Sequence, residues 1–314
     1  MRVTAKRLMQ QLSVVGCANG LAGRQLGCES AAAVLKKSVH MDQCRIPMRW
    51  QALVKEVDSG RHLQAIPGVA QTMRDLAQET AAALRREGEV LVVAGDHSSA
   101  IGTWSGVASA MRNHGDVGLI WVDAHMDAHT PDSSPTGNIH GMPVAHLLGF
   151  GDRNLSTIGD DLPKLKPENL CLVGIRSFEP AEQELLDRLG VRVFFMEEVE
   201  RRGIQDVMQE ALHHVTRQTS AFGMSIDIDG FDVVDAPAVG TPEKGGIRAG
   251  DFLQSLLSLD LRGLVATEIV EFLPRFDDEH KTSERLVVNL IETIYQTKRH
   301  QTDATASILR RAMS

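Results

Sequence analysis

Short apolar runs alternate along this chain with stretches of helical period. LSVVG (12–16), VLVVAG (90–95), VGLIWVD (117–123), LCLVGI (170–175), VRVFF (191–195), FGMSIDID (222–229) and LVATEIVEF (264–272) read as strands. Several are continuous and β-branched rather than alternating, as expected of strands covered on both faces. Apolar positions recur with helical spacing over Val69–Arg86, Glu182–Leu189, Gly203–Arg217 and Ala249–Leu257. Strands and helices taking turns predict an α/β fold, a three-layer α/β/α arrangement around a central, mostly parallel sheet. No Pro-, Gly- or Ser-rich linker and no repeat interrupts the pattern, so residues 1–314 read as one domain. The tail from about residue 300 (QTDATASILRRAMS, 301–314) is expected either to fray or to pack on a neighbouring subunit.

Composition changes this picture little. A chain of 314 residues can bury roughly three quarters of its unfolded surface and needs no staples. The formal charge of −8 disfavours nucleic acid and anionic membranes as partners, since both attract a basic face. The four cysteines (Cys17, Cys28, Cys44, Cys171) stand far apart without CxxC spacing, which fits reduced thiols in a cytosol. The N-terminal MRVTAKRLMQQLSVVGC has no continuous apolar core of a secretory signal. No apolar run approaches the roughly 20 residues of a membrane helix. A cytoplasmic location is expected.

The candidate chemistry lies where apolar strands end. VLVVAG runs into Asp96, His97 and Ser98; GLIWV runs into DAHMDAH (123–129); GMSI runs into Asp227 and Asp229; ATEIV runs into Glu271. Ligands of open α/β sheets gather beyond the carboxyl ends of the strands. Any one of these groups alone is equally what turns and helix caps use. Together they differ. Side chains two apart on an extended segment share a side, so Asp123, His125 and Asp127 are expected to converge, as are Asp227 and Asp229. Four carboxylates at one buried locus repel and lose hydration unless cations sit among them. His97, Asp123, His125, Asp127, Asp227 and Asp229 form a hard, oxygen-rich donor set suited to a pair of Mn²⁺, with Co²⁺, Ni²⁺ or Zn²⁺ as substitutes. Without a cysteine, a structural zinc site is disfavoured.

AGDHS (94–98), DAHMDAHTP (123–131), TGNIHGMP (136–143), SIDIDGFD (225–232), GTPEKGG (240–246) and VEFLP (270–274) together resemble the ureohydrolase signature, in that order. TGNIHGMP is similar to the arginase branch of that family. The resemblance implies an arginase-like fold and hydrolysis of L-arginine to L-ornithine and urea by a hydroxide bridging two Mn²⁺. It implies one metal held by His97, Asp123, Asp127 and Asp227, and another by Asp123, His125, Asp227 and Asp229. It further implies Asp127 as proton acceptor, His140 as proton shuttle and Glu271 as the guanidinium's carboxylate. Thr241 would line the guanidinium pocket. Ser134 and Thr136 would meet the substrate α-carboxylate, and Glu179 and Glu182 the α-amino group. Relatives of this kind assemble as trimers or hexamers, so a homo-oligomer is expected. The chain departs from the pattern at Ala94, where a second glycine is usual, and at His129, where arginases carry an asparagine touching the carboxylate. His129 therefore bears on substrate preference. Other readings are another ureohydrolase acting on agmatine, guanidinobutyrate or hydroxyarginine, a one-zinc amide hydrolase like the histone deacetylases, and a silent metal-binding paralogue.

Overall fold

A computed structural model describes residues 11–312, and the side chains up to residue 307. Eight strands, β1 (Leu12–Ala18), β2 (Met48–Lys55), β3 (Val90–Val93), β4 (Val117–Val122), β5 (Leu170–Ile175), β6 (Arg192–Phe195), β7 (Ala221–Asp227) and β8 (Leu264–Val270), form one sheet in the order β2-β1-β3-β8-β7-β4-β5-β6. Every pairing is parallel. The expected mostly parallel sheet is thus parallel throughout the described residues. The N-terminal residues 1–10, and with them most of the stretch judged to lack a secretory signal, lie outside those described, as do residues 313 and 314.

Alternation along the strands divides the core into two layers. Leu91, Val93, Ile120 and Val122 face one cluster, packed by the helices Ile204–Thr216, Ala249–Leu256 and Thr282–Ala312. Val90, Val92, Leu119 and Trp121 face the other, packed by Ile66–Glu87 and Ser99–Met111. Both faces are covered, which is why these strands carry no polar alternation.

All seven expected strands form, and the four expected helices appear as Ile66–Glu87, Pro180–Leu189, Ile204–Thr216 and Ala249–Leu256. Beyond those, the long helix Thr282–Ala312 and several short helices form without having been expected, and two further elements escape the apolar pattern for clear reasons. The edge strand β2, MRWQALVK, is largely part-exposed, so polar residues interrupt its apolar positions. The helix Ser99–Met111 is buried nearly all round its first ten residues, so it has no polar face to mark its period. It lies close against Ile66–Glu87; a Cβ on Gly106 would stand 2.5 Å from the Ala77 carbonyl. The tail from residue 300 continues the helix Thr282–Ala312.

The strand order does the positioning. β3, β8, β7 and β4 are consecutive neighbours in the sheet, and they are the four strands whose ends carry His97, Glu271, Asp227 with Asp229, and Asp123. Residues spread over about 170 positions of chain are thereby set side by side along one sheet edge.

Candidate metal centre and its cleft

His97 is the focus of the centre. Its Nδ1 lies 3.1 Å from Asp123 Oδ2 and 3.2 Å from both Asp127 Oδ2 and Asp227 Oδ2. This nitrogen is buried and makes no properly angled hydrogen bond to any of them. The other ring nitrogen, Nε2, lies 3.0 Å from Ser225 Oγ, and Ser225 in turn donates to Glu268 Oε2 at 2.8 Å. A hydroxyl has one proton, so Ser225 must accept from Nε2–H. A neutral His97 therefore presents its Nδ1 lone pair to the three carboxylates. Trp121 stacks on the ring with centroids 4.0 Å apart and donates to Asp123 Oδ2 at 2.9 Å.

A second group shares Asp123. His125 Nδ1 lies 3.2 Å from Asp229 Oδ2 and 3.5 Å from Asp123 Oδ1. His97, Asp123 and Asp227 form one set of atoms close enough to hold an ion, and Asp123, His125 and Asp229 another. Such a lone-pair-rich cage fits two divalent cations, with Asp123 common to both.

The charges confirm that the cage needs positive company. Burial, then Asp229 and Asp123, push Asp227 well above the usual carboxylate range. Burial and Asp123 raise Asp127 to about 6. Burial alone would lower His97, yet the Asp123, Asp127 and Asp227 carboxylates crowded against its Nδ1 raise it well above the ordinary imidazole. A field that draws a proton onto His97 would equally draw a metal ion.

The route by which these side chains converge differs from simple alternation. β4 ends at Val122; the chain bends at Ala124, with the His125 N–H donating back to Asp123 Oδ1 at 2.7 Å, and His125 bridges to Ser177. At Asp127 the backbone turns left-handed, with φ 50°, so Asp127 reaches the cage by a bend. Asp229 sits in the 3₁₀ turn Ile228–Gly230, where its N–H donates to Asp227 Oδ1 at 2.8 Å. Glu271 is also left-handed, with φ 62°. Non-glycine residues pay about 1–3 kcal/mol for such conformations, which cluster at functional sites. At the β3 end, a Cβ on Gly95 would stand 1.6 Å from the Asn19 carbonyl, so only glycine fits there, while Ala94 packs in the core without conflict.

A cleft of roughly 820 Å³, counting its open mouth, leads to the centre. His125, Asp127, His129, Ser134, Thr136, His140, Glu179, Glu182, Asp227, Asp229 and Thr241 line it; His97, Asp123 and Glu271 lie beneath. His140 Nδ1 is 3.0 Å from Glu271 Oε1, an oxygen that also accepts the His97 backbone N–H. Burial opposes charge on His140, but Glu271, with Asp127 and Asp96 beyond, outweighs it and lifts the group to about 9. Thr241 donates to Asp229 Oδ2 at 2.8 Å, tying the cleft wall to the cage.

The outer wall is more tightly bonded than expected. Glu182 is 3% exposed and its oxygens accept the Ala128 and Glu179 N–H groups, closing a capping box with Glu179 at the start of Pro180–Leu189. His129 Nε2 lies 2.9 Å from Glu179 Oε2, and its Nδ1 lies 3.1 Å from Ser133 Oγ. His146 is buried in the helix Pro143–Leu147, accepting the Asp152 N–H at Nε2, well apart from this chemistry.

Set against known proteins, residues 10–296 match the Arginase family model. The chain belongs to the arginase family. The arginase of Brevibacillus brevis is 44% identical over 211 residues, 66% of this chain and 69% of that relative. The arginase of Bacillus caldovelox is 38% identical over 240 residues, 75% of this chain and 78% of its own length. Its solved structure superposes with a TM-score of 0.84 at 31% identity, covering 91% of this chain and 98% of that one. The cage thus sits in a family of metal-dependent hydrolases. Trp121, Ser225, Glu268 and Arg24 were not singled out by their residue types. Strand period could have flagged Trp121 and Ser225, each two residues before a metal-cage aspartate and on the same side.

Proposed function

We propose that this chain is an arginase, hydrolysing L-arginine to L-ornithine and urea with two Mn²⁺ ions. One ion would be held by His97, Asp123, Asp127 and Asp227, the other by Asp123, His125, Asp227 and Asp229. The observation that carries this reading is the buried, unpartnered His97 Nδ1 facing three carboxylates, in a chain of the arginase family. When bound, the ions supply Lewis acidity and activate water near neutral pH.

The chain's own groups move the protons. Asp127, a carboxylate that lines the cleft beside the cage, would accept the proton of the activated water. His140 holds its Nδ1 on Glu271, which leaves Nε2 for proton exchange at the cleft; lifted to about 9, it is protonated at pH 7 and suited to donate toward the leaving amine. Glu271 supplies the negative field that a guanidinium requires, and Thr241 shapes the wall beside it. At the outer end, Ser134 and Thr136 would meet the α-carboxylate. Glu179, with Glu182 behind it, would meet the α-amino group, and His129 would tune that end. A homo-oligomer, trimer or hexamer, and a cytoplasmic location complete the reading; the four free cysteines suit a reducing compartment. Among the described residues, no helix is long and apolar enough to cross a membrane.

Urea release from L-arginine, agmatine, guanidinobutyrate and hydroxyarginine, with Mn²⁺, Co²⁺ and Ni²⁺ supplied in turn, tests the substrate and the metal. Negligible turnover of L-arginine would reject the first choice. One metal per chain, rather than two, would reject the dinuclear cofactor.

A further inference from the structure

The outer cleft poses a charge problem. Glu179, Glu182 and Glu243 line it, all acidic, while a substrate of the amino-acid type brings a carboxylate to the same end. His129 is poorly placed to receive that carboxylate. Its Nε2 faces Glu179 Oε2 at 2.9 Å and Glu182 Oε2 at 3.4 Å, and its Nδ1 is engaged with Ser133. Ser134 and Thr136 accept the Gly137 and Asn138 N–H groups, so each hydroxyl can still donate one proton, but neither carries charge.

Arg24 is the lysine-or-arginine side chain that lines the cleft. It is exposed and, among the described residues, makes no ion pair. Its backbone, in contrast, is held in place. Arg61 Nη2 donates to the Gly23 carbonyl at 2.6 Å and reaches the Arg24 carbonyl at 3.4 Å. Two residues earlier, the Ala22 carbonyl accepts the N–H of His140 at 3.2 Å. The segment that carries Arg24 is therefore tied to the turn that carries His140, with its guanidinium free. A planar guanidinium matches a carboxylate bidentately, and nothing else at this mouth offers that fork.

We infer that Arg24 is the specificity residue that pairs with the substrate α-carboxylate, a role that rests on the amino-acid substrate proposed above. It compensates for the loss of His129 to Glu179. The test compares L-arginine with agmatine, which has the same guanidino end and no carboxylate, in the Mn²⁺-loaded wild type, Arg24→Ala and Arg24→Lys. Arg24→Ala is expected to raise KM for L-arginine about tenfold, with kcat nearly unchanged and agmatine kinetics unaffected. Arg24→Lys should recover part of the loss. Added salt should raise the wild-type KM for L-arginine more than that of Arg24→Ala. Calorimetric binding of L-ornithine against putrescine reads the same contrast without turnover. Equal effects on both members of each pair, or none, overturn the assignment. A wild type inactive on every guanidino substrate would reject the proposed function, and the ornithine–putrescine contrast would still decide Arg24.

Discussion

Glu268 is fully buried and accepts four hydrogen bonds: Ser99 Oγ at 2.9 Å, Thr103 Oγ1 at 2.6 Å, Trp104 Nε1 at 3.1 Å and Ser225 Oγ at 2.8 Å. Through Ser225 it fixes the His97 tautomer that leaves Nδ1 open. Glu268→Gln keeps the volume and can keep the bonds, with the amide oxygen toward Trp104 and Ser225 and the NH₂ toward hydroxyls that rotate to accept. Bonds to a charged acceptor contribute about 1.5–3 kcal/mol against about 0.5–1.5 between neutral partners. Weakening them is offset by no longer burying a charge, which alone costs several kcal/mol. The net change in stability should therefore be small, about 1–2 kcal/mol. Metal affinity should respond more, because Ser225 polarises His97 less; partners behind a metal ligand typically matter about 10–100-fold. Mn²⁺ titration followed by electron paramagnetic resonance, with calorimetric melting of the metal-free protein alongside, separates the two effects. The expected outcome is a nearly native melt with one Mn²⁺ lost at least tenfold more readily than in wild type. Glu268→Ala is the contrast: it orphans the Trp104 N–H, which cannot rotate away, and opens a cavity, so several kcal/mol of stability should go. If Glu268→Gln binds both ions with wild-type affinity, the carboxylate is structural and the relay to His97 carries no weight.

Three further outcomes are open to direct measurement. His129→Asn should retain two metals per chain, release Glu179 from its imidazole partner and change KM for substrates bearing an α-carboxylate; loss of metal would instead make His129 a ligand. Thr241→Val removes the bond to Asp229 Oδ2 and should lower Mn²⁺ affinity several-fold with little change in melting temperature; unchanged affinity would leave Thr241 as a wall residue only. Burial, then Asp96, raises Glu56 to about 7 despite the N–H groups of Gly20 and Leu21. The folded state then holds a proton that the unfolded chain releases near pH 4.5, so this contribution to stability is greatest below that value and falls as pH rises to 7. Glu56→Gln should flatten that part of the melting-temperature profile of chelator-treated protein; an unaltered slope would refute the linkage.

The fold was legible because its central strands are buried on both faces. Runs such as VLVV and VGLIWV admit no other placement, and the helices with one apolar stripe declare their period. Two of the elements that stayed hidden lacked that contrast: β2 alternates weakly at the sheet margin, and Ser99–Met111 is sunk almost entirely in the core; the helix Thr282–Ala312 was also not expected, although it has an apolar stripe. The candidate cage was legible for another reason. Its aspartates and histidines are costly where they stand, so their residue types at strand ends already called for cations. Their supporting residues were silent because a buried serine, tryptophan or glutamate has many uses. Only register reveals that Trp121, Ser225 and Glu268 form one row across β4, β7 and β8. The state of His129 could not be read at all, since it depends on Glu179, fifty positions away, reaching it across the cleft.

That row also explains how a repulsive cage can persist in a stable domain. The costly groups occupy the layer just beyond the strands, while the layer below is set by sheet register. Trp121 pairs with Ser225, and Ser225 with Glu268, each as a parallel-strand neighbour. Their side chains hold Asp123 and His97 from beneath, using bonds that form without any metal. Above them, Asp127 and Glu271 are held left-handed by the loops that follow β4 and β8, with Val144 N–H on the Asp127 carbonyl and Glu271 N–H on that of Gly95. The strain and the repulsion therefore fall on residues whose backbone is already fixed by neighbours. Relaxing them would require breaking the sheet register itself, so the donor atoms stay close together and any metal that enters meets a site that has already met the cost of assembly.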